Sequence, residues 1–287
     1  MITDNTKFII IGLGLIGGSY AKALSKKGYT VYAIDVSEAT INFAKEQGII
    51  EDGATTVEEA INKGFLQAAD MAVFALYPTA MVEWLEKYQE HFKSGIIITD
   101  VSGVKTNIID KAQAILRSDL EFVGSHPMAG KESSGIINSD DSIFQVANFI
   151  ITPTESNSVQ AVSQVHQLGE ILGFRTISQL EPEVHDDTIG FLSQLTHAIA
   201  VSLMTCNDNE HLEKYTGDSF RDLTRIAKIN EKLWPELFFL NKELLTKHID
   251  NFTDELQKLK AYVENEDEDA LKEMFIKSTK RRKAFDR

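Results

Sequence analysis

The segment GSHPMAG, residues 124 to 130, places His126 between a strand-like run and a proline. No cysteine and no second histidine stands beside it to form a metal site. A neutral imidazole can take up a proton, because its unperturbed pKa of about 6.5 lies close to neutral pH. His126 is therefore a candidate general base; the alternative is a core or capping histidine that the backbone satisfies.

Two further polar groups follow predicted strands. Ser102, in DVSG, could share a substrate hydroxyl with His126 or hold a cofactor ring, and it could equally cap the helix predicted from residue 104. Lys131 and Glu132, in GKESSG, are either substrate contacts or part of a solvated loop.

A glycine pattern lies near the start of the chain. The run KFIIIGLGLIGGSYAKALSKKG is typical of a buried strand, a turn and an amphipathic helix. Its G-x-G-x-x-G motif comprises Gly12, Gly14 and Gly17, which suit a tight turn, a close approach of the backbone to a pyrophosphate, and close packing of helix on strand. We expect a dinucleotide phosphate at the start of this helix.

Asp35 ends the second predicted strand, YTVYAID, 18 residues after Gly17. A carboxylate at this position can accept hydrogen bonds from the adenosine ribose and repels a 2′-phosphate, so NAD is favoured over NADP. The alternative is that Asp35 caps a helix and the glycines only make turns.

A second polar constellation lies in EVHDDTIGFLSQLTHAIAVSLM. Seven residues separate Asp186 from Ser193 and four separate Ser193 from His197, so an unbroken helix would present all three on one face. The flanking Phe191 and Leu192 predict that this helix is buried. The HDD triplet is only a weak hint of a metal, because no further ligands follow at helical spacing, and we predict none.

Downstream, Arg221 and Arg225 stand one helical turn apart in SFRDLTRIA. A guanidinium group suits a carboxylate ligand, although both could simply pair with surface acids. Trp234 is expected in the core.

Composition narrows the class of protein. The chain has 287 residues, of which 43% are hydrophobic, and this suits two globular domains. A net charge of -14 disfavours binding to nucleic acid or to a membrane surface. The single cysteine, Cys206, is expected in a core and fits a reducing compartment. The start lacks a basic signal-peptide head, and we expect no apolar run long enough to cross a bilayer, so the cytoplasm is expected.

Predicted strands at 70–78, 95–103 and 120–127 alternate with predicted helices near 79–91 and 104–117. This rhythm predicts an α/β fold: a Rossmann-type, doubly wound, mostly parallel sheet in residues 1–170, then an all-helical domain in residues 171–287. Because ligands bind at the carboxyl ends of parallel strands, Ser102 and His126 should meet beside the cofactor.

In this order, the glycine motif with Asp35, DVSGVK, GSHPMAG, HDDTIGFLSQLTH and FRDLTRIA with a later tryptophan resemble the prephenate dehydrogenase family over nearly the whole chain. The resemblance implies a Rossmann domain with a helical dimerisation domain, and therefore a homodimer. It also implies NAD-dependent oxidation of prephenate, with decarboxylation, to 4-hydroxyphenylpyruvate in tyrosine biosynthesis.

The resemblance further implies roles for individual residues. His126 would bind the ring hydroxyl, Arg225 a substrate carboxylate, and His197 would line the pocket, while Glu132 matches the family's glutamate after the catalytic histidine. Ser102 would help to hold the hydroxyl and the nicotinamide.

The chain departs from the family pattern at three places. Ser102-Gly103 replaces the more usual Gly-Ser, SQLTH replaces SHLPH at Gln194 and Thr196, and Ile229 stands where a serine is often found. These changes leave the position of the serine and the polarity of the pocket open. Three other functions remain open as well: an arogenate dehydrogenase, a 3-hydroxyacid dehydrogenase, and a non-catalytic NAD-binding module.

Overall fold

The computed structural model describes residues 1–130 and 133–286. Its strands are β1 (Lys7–Ile11), β2 (Thr30–Ile34), β3 (Asp52–Ala54), β4 (Met71–Phe74), β5 (Ile97–Asp100), β6 (Glu121–Phe122), β7 (Gly124–Pro127), β8 (Asn148–Thr152) and β9 (Thr176–Gln179). Its α-helices are α1 (Leu15–Lys26), α2 (Glu38–Glu46), α3 (Val57–Asn62), α4 (Phe65–Ala68), α5 (Pro78–Tyr88), α6 (Thr106–Ile115), α7 (Val159–Leu172), α8 (Pro182–Ile189), α9 (Thr196–Thr205), α10 (Asp218–Thr224), α11 (Leu233–Leu240), α12 (Lys242–Glu264) and α13 (Glu268–Arg282).

The first domain is built on a parallel sheet in the order β3-β2-β1-β4-β5-β6. Both faces are buried: on β1, Phe8 and Ile10 join one apolar cluster, whereas Ile9 and Ile11 join the other. The strand order reverses between β1 and β4, which is where sheets of this kind bind a dinucleotide. The expected doubly wound α/β fold is confirmed.

The expected single strand at 120–127 is wrong, because the chain changes sheet within it. β6 pairs with β5 in the large sheet, whereas β7 pairs antiparallel with β8 in a second sheet of order β7-β8-β9. A Cβ on Gly124, where β7 begins, would lie 2.5 Å from Thr152 Oγ1, so the crossing leaves no room for a side chain. His126 therefore lies within an antiparallel strand and not at the end of a parallel one.

From α8 onward the described residues form helices and turns. A π-helix, Gly190–Leu195, separates α8 from α9. The expectation that Asp186, Ser193 and His197 share one face assumed an unbroken α-helix, and the wider π turn interrupts it. The expected domain boundary at 170/171 falls inside α7, and the last strand, β9, ends at Gln179.

Three expectations about burial are wrong for the single chain. Cys206 is exposed at the end of α9, and Phe191 and Leu192 are 55% and 51% exposed. The expectation that no apolar run is long enough to cross a bilayer is wrong by length and composition, because the helical stretch Pro182–Thr205 is apolar enough to span a membrane, with 28% of its apolar window buried. In the structure, His185 and Asp186 in this stretch bind the first domain.

Candidate active site

The glycine loop leaves space where a phosphate would lie. Gly12 has a φ of +94°, which favours glycine, and a Cβ on Gly17 would lie 1.9 Å from the Gly12 carbonyl oxygen. A Cβ on Gly14 would meet nothing within 4 Å. Gly14 is also the N-cap of α1, it provides no side-chain cap, and the first turn has no acidic residue. These residues fit the pyrophosphate of a dinucleotide.

Asp35 lies just after β2 and holds this loop. Its Oδ2 accepts the Leu13 amide at 2.8 Å, and its Oδ1 accepts the Ser37 amide at 2.9 Å. The cap of α2 is Ser37, whose side chain accepts the Thr40 amide, so Asp35 does not serve as that cap. The carboxylate thus stands beside the loop, where a ribose can reach it.

His126 begins a chain of hydrogen bonds that crosses between the domains. Its Nδ1 lies 2.9 Å from His185 Nε2, and His185 Nδ1 lies 2.8 Å from Asp186 Oδ1. His185 is fully buried and Asp186 nearly so, whereas His126 remains partly accessible. We call these three residues the relay.

The protonation states of the relay residues decide which ring nitrogens donate in its hydrogen bonds. Burial raises the pKa of Asp186, but hydrogen bonds from His185 and Thr106 outweigh it and the pKa is lowered. Burial lowers the pKa of His185 despite the opposing carboxylate of Asp186. Burial also lowers the pKa of His126 well below the usual range, and His185 and Lys105 lower it further. At neutral pH the acid is ionised and both imidazoles are neutral.

It follows that His185 donates from Nδ1 to Asp186 and accepts at Nε2 from His126 Nδ1–H. His126 Nε2 then carries a free lone pair. A Cβ on Gly103 would lie 3.7 Å from this nitrogen, so His126 Nε2 lies close to the Ser102-Gly103 segment. The arrangement presents one proton acceptor at the junction of the two domains.

Asp186 also caps a helix that belongs to the first domain. Its carboxylate accepts the amides of Lys105 and Thr106, each at 2.8 Å, at the start of α6. The N-cap of α6 is Lys105, which provides no side-chain cap. The alternative role of Ser102 as the cap is therefore wrong; its Oγ accepts the Val104 amide, at 3.4 Å.

His197 packs against Trp234 at the same junction. The ring centroids are 3.8 Å apart, and His197 Nδ1 donates to the Ser193 carbonyl at 2.8 Å. Trp234 is thus partly accessible and in contact with a candidate site residue.

Arg225 is exposed and opens the 3₁₀ turn Arg225–Ala227, which packs against α9, the helix of His197. Arg221 instead binds Asp218 and Thr216 at the surface, as the alternative for that residue anticipated. Glu132 lies outside the described residues.

Gln194 does not set the polarity of the pocket. It is buried, donates to the Leu237 carbonyl at 3.1 Å and accepts from Asn241 at 2.8 Å. The glutamine that departs from the family pattern at this position therefore holds neighbouring helices together. Sequence reasoning missed the role of His185, whose only local signal was its place beside Asp186 in HDD.

The uncapped glycine loop and the proton acceptor at one domain junction define a dehydrogenase that uses a nicotinamide dinucleotide. Comparison with known proteins gives the family. The family model described as prephenate dehydrogenase, nucleotide-binding domain, matches residues 20–178, and the prephenate dehydrogenase dimerization domain matches residues 181–277.

Curated relatives agree. Prephenate dehydrogenase of Bacillus subtilis is 32% identical over 92% of this chain and 71% of its own length. The cyclohexadienyl dehydrogenase of Zymomonas mobilis is 30% identical over 96% of this chain and 94% of its own. A crystal structure of prephenate dehydrogenase from A. aeolicus with hydroxyphenyl propionate and NAD+ is 30% identical, covers 98% of each chain and superposes with a TM-score of 0.89.

The chain belongs to the prephenate dehydrogenase family and is an NAD-dependent oxidoreductase. Its likeness to 3-hydroxyisobutyrate dehydrogenase of Mycobacterium tuberculosis, at 13% identity and a TM-score of 0.53, is one of fold alone. The same holds for Synechocystis arogenate dehydrogenase, at 24% identity.

Proposed function

We propose that this enzyme oxidises prephenate to 4-hydroxyphenylpyruvate with release of carbon dioxide, a step of tyrosine biosynthesis. The observation that carries the proposal is the relay, which leaves His126 Nε2 as a proton acceptor between the nucleotide domain and the helical domain. The names of the relatives from Bacillus subtilis and Lactococcus lactis, at 32% and 29% identity, support prephenate as the substrate.

The chemistry needs a base at one end of the substrate and an anion site at the other. Prephenate carries a ring hydroxyl and, on the opposite ring carbon, a carboxylate. Loss of a hydride from carbon and a proton from oxygen makes a ketone, which accepts the electron pair of the breaking C–CO₂ bond. The ring becomes aromatic, and its oxygen regains a proton to give the phenol.

NAD, when bound, accepts the hydride. His126 Nε2 takes the hydroxyl proton and returns it to the phenolate, and Ser102 shares the hydroxyl. Arg225 binds a carboxylate without protonating it, since decarboxylation requires the anion, and His197 lines the pocket. Gly12, Gly14, Gly17 and Asp35 hold the dinucleotide.

We also propose a homodimer assembled through the helical domain, and a domain boundary near residue 180. The description of the matched dimerization domain and the exposed apolar side chains of the helices support the first proposal. The end of β9 at Gln179 and the start of α8 at Pro182 support the second.

The test is NADH formation, followed by absorbance, with prephenate and arogenate supplied separately to the purified enzyme and NAD. We expect a higher kcat/KM with prephenate, and 4-hydroxyphenylpyruvate and carbon dioxide in equal amounts. A higher kcat/KM with arogenate would replace the proposed substrate. No turnover with either compound, despite NAD binding, would favour a non-catalytic NAD-binding module.

A further inference from the structure

One charged pair in the interior has no part in the mechanism described so far. Lys105 is 0% exposed, and its Nζ donates to Asp100 Oδ2 at 2.6 Å; Asp100 is 1% exposed. A fully buried ion pair is costly to desolvate, and apolar side chains of similar volume often stabilise a fold as well. Its presence beside the active site therefore calls for a function other than stability.

The contacts of Asp100 show what that function can be. Oδ2 also accepts the Ser102 amide at 2.9 Å, while Oδ1 accepts the Ser125 amide at 3.0 Å. One carboxylate thus holds the backbone of Ser102 and, on the other sheet, the residue next to His126. The Ser125 hydroxyl also donates to the Asp100 carbonyl, at 2.7 Å, so the junction between β5 and β7 is tied twice.

Lys105 ties the same carboxylate to the relay. Its Nζ binds Asp100, and its backbone amide donates to Asp186 Oδ1 at 2.8 Å, at the far end of the hydrogen bonds from His126. The buried pair therefore contacts both the backbone that carries Ser102 and the Asp186 end of the relay.

We propose that the Asp100–Lys105 pair is a positioning unit, which fixes Ser102 and His126 relative to each other and places a buried cation beside the relay. Neither residue touches the substrate in this proposal. The kinetic part of the inference rests on the proposed oxidation of prephenate, whereas the titration of His126 does not.

The titratable groups around the pair come from five places in the chain. The titratable groups are Tyr20 of α1, Asp100 of β5, Lys105 before α6, His126 of β7, and His185 and Asp186 of α8. Burial lowers the pKa of Lys105 while Asp100 and Asp186 oppose this, and the cation in turn helps to lower the pKa of both histidines. Removing the cation should therefore raise the pKa of His126.

The first variant is Lys105→Met, which keeps the length of the side chain and removes its charge. We expect kcat with prephenate to fall about 10- to 100-fold, as for other residues that orient a reacting group through a neighbour. The NAD dissociation constant should stay close to wild type, because the glycine loop is separate. The His126 ring signals, followed by NMR, should titrate at higher pH than in the wild type.

The control is Lys111→Met, which removes the same charge from the exposed surface of α6. It should change neither kcat nor the His126 titration. A folded Lys105→Met enzyme with the kcat and the His126 titration of the wild type would overturn the proposal.

The double variant Asp100→Asn/Lys105→Met keeps the interior neutral and covers the case in which Lys105→Met does not fold. A single amide oxygen can no longer accept both backbone amides at full strength, so we expect a melting temperature close to wild type with kcat still at least about tenfold reduced. Wild-type kcat in this variant would overturn the proposal. So would its failure to fold, since the pair would then serve the fold itself.

The two proposals fail separately. If the wild type does not oxidise prephenate but the His126 titration shifts in Lys105→Met, the proposed function falls and the positioning unit stands. If the wild type oxidises prephenate and Lys105→Met leaves both kcat and titration unchanged, the reverse holds.

Discussion

The two domains differ in how completely one chain covers their apolar side chains. In the first domain, β1, β4 and β5 lie between two apolar clusters, and the large exposed side chains, such as Val146 and Val159, occur singly. In the helical domain, α12 exposes Ile249, Phe252, Leu256 and Val263. Their spacings of three, four and seven residues place them on one face of the helix.

Isolated apolar residues on a surface are ordinary, whereas a continuous stripe marks an interaction site. The first domain therefore completes its core within one chain. The helical domain leaves a stripe that a second copy can cover across a two-fold axis. The candidate active site lies where the first domain meets the helical domain, and variants on each side should behave differently.

The largest loss is expected at the junction itself. His126→Asn removes the proton acceptor and should lower kcat roughly 10²- to 10⁴-fold while much of the affinity for prephenate remains. His166→Asn, a half-exposed histidine of α7 in the first domain, is the matched control and should have little effect. Near-normal kcat in His126→Asn would make the histidine structural.

The pH profile sharpens the same point. Only unprotonated His126 can accept the proton, so kcat/KM should fall as the pH drops through the pKa of the free enzyme. Burial, with His185 and Lys105, lowers that pKa, and the acid limb should lie below the usual histidine range. The limb should be absent in His126→Asn, and its persistence there would assign it to another group.

The next largest effect should distinguish the two domains by their part in dimer assembly. Leu256→Glu places a charge in the α12 stripe twice in a symmetric dimer, and we expect the dimer dissociation constant to rise about 100-fold or more. Val159→Glu, at an 87% exposed position of the first domain, should leave the dimer intact. Light scattering at micromolar concentration measures both; a monomeric wild type would contradict the proposed assembly.

A smaller effect is expected at the anion site. Arg225→Ala should raise the KM for prephenate roughly 10- to 100-fold with less change in kcat, because a charge-assisted hydrogen bond contributes about 1.5–3 kcal/mol. Arg221→Ala removes a guanidinium group one turn away that binds Asp218 and should leave KM close to wild type. Equal effects of the two substitutions would argue against Arg225 as the specific ligand.

The smallest effect is expected at the cofactor end. Asp35→Ser should narrow the preference for NAD over NADP by roughly tenfold or less, mainly by weakening NAD, since Asp35 also holds the Leu13 and Ser37 amides. Asp35→Asn tests the effect of the negative charge alone, because asparagine has nearly the same size as aspartate. Comparable kcat/KM values for NADP and NAD in the wild type would contradict the assignment of Asp35.

The local part of this architecture was predictable from the sequence. The glycine loop with Asp35 lies within one strand-turn-helix-strand unit, so its spacing predicts its geometry. His126 was also identified, but its setting was not: the chain changes sheet at Gly124, and no pattern in residues 120–127 separates one strand from two.

The relay and the buried pair could not be predicted for a different reason. His126 and His185 are 59 residues apart, and Lys105 and Asp186 are 81 apart. Periodicity in a sequence predicts only which residues that are near in the chain share a face. The prediction of a shared face for Asp186, Ser193 and His197 also assumed a regular α-helix where the structure has a π-helix. Phe191 and Leu192 were expected to be buried within the chain, although hydrophobicity alone does not say which surface covers a side chain.

The carboxylate of Asp186 performs two tasks at once, since it closes the first turn of α6 and ends the relay. If the domains separate, even briefly, the amides of Lys105 and Thr106 lose their acceptor at the same moment as His185 loses its anchor. The rate of hydrogen exchange at these two amides therefore reports the fraction of molecules in which the domains are apart and the relay is broken. A ligand that holds the domains together should lower that fraction and slow the exchange to the same extent.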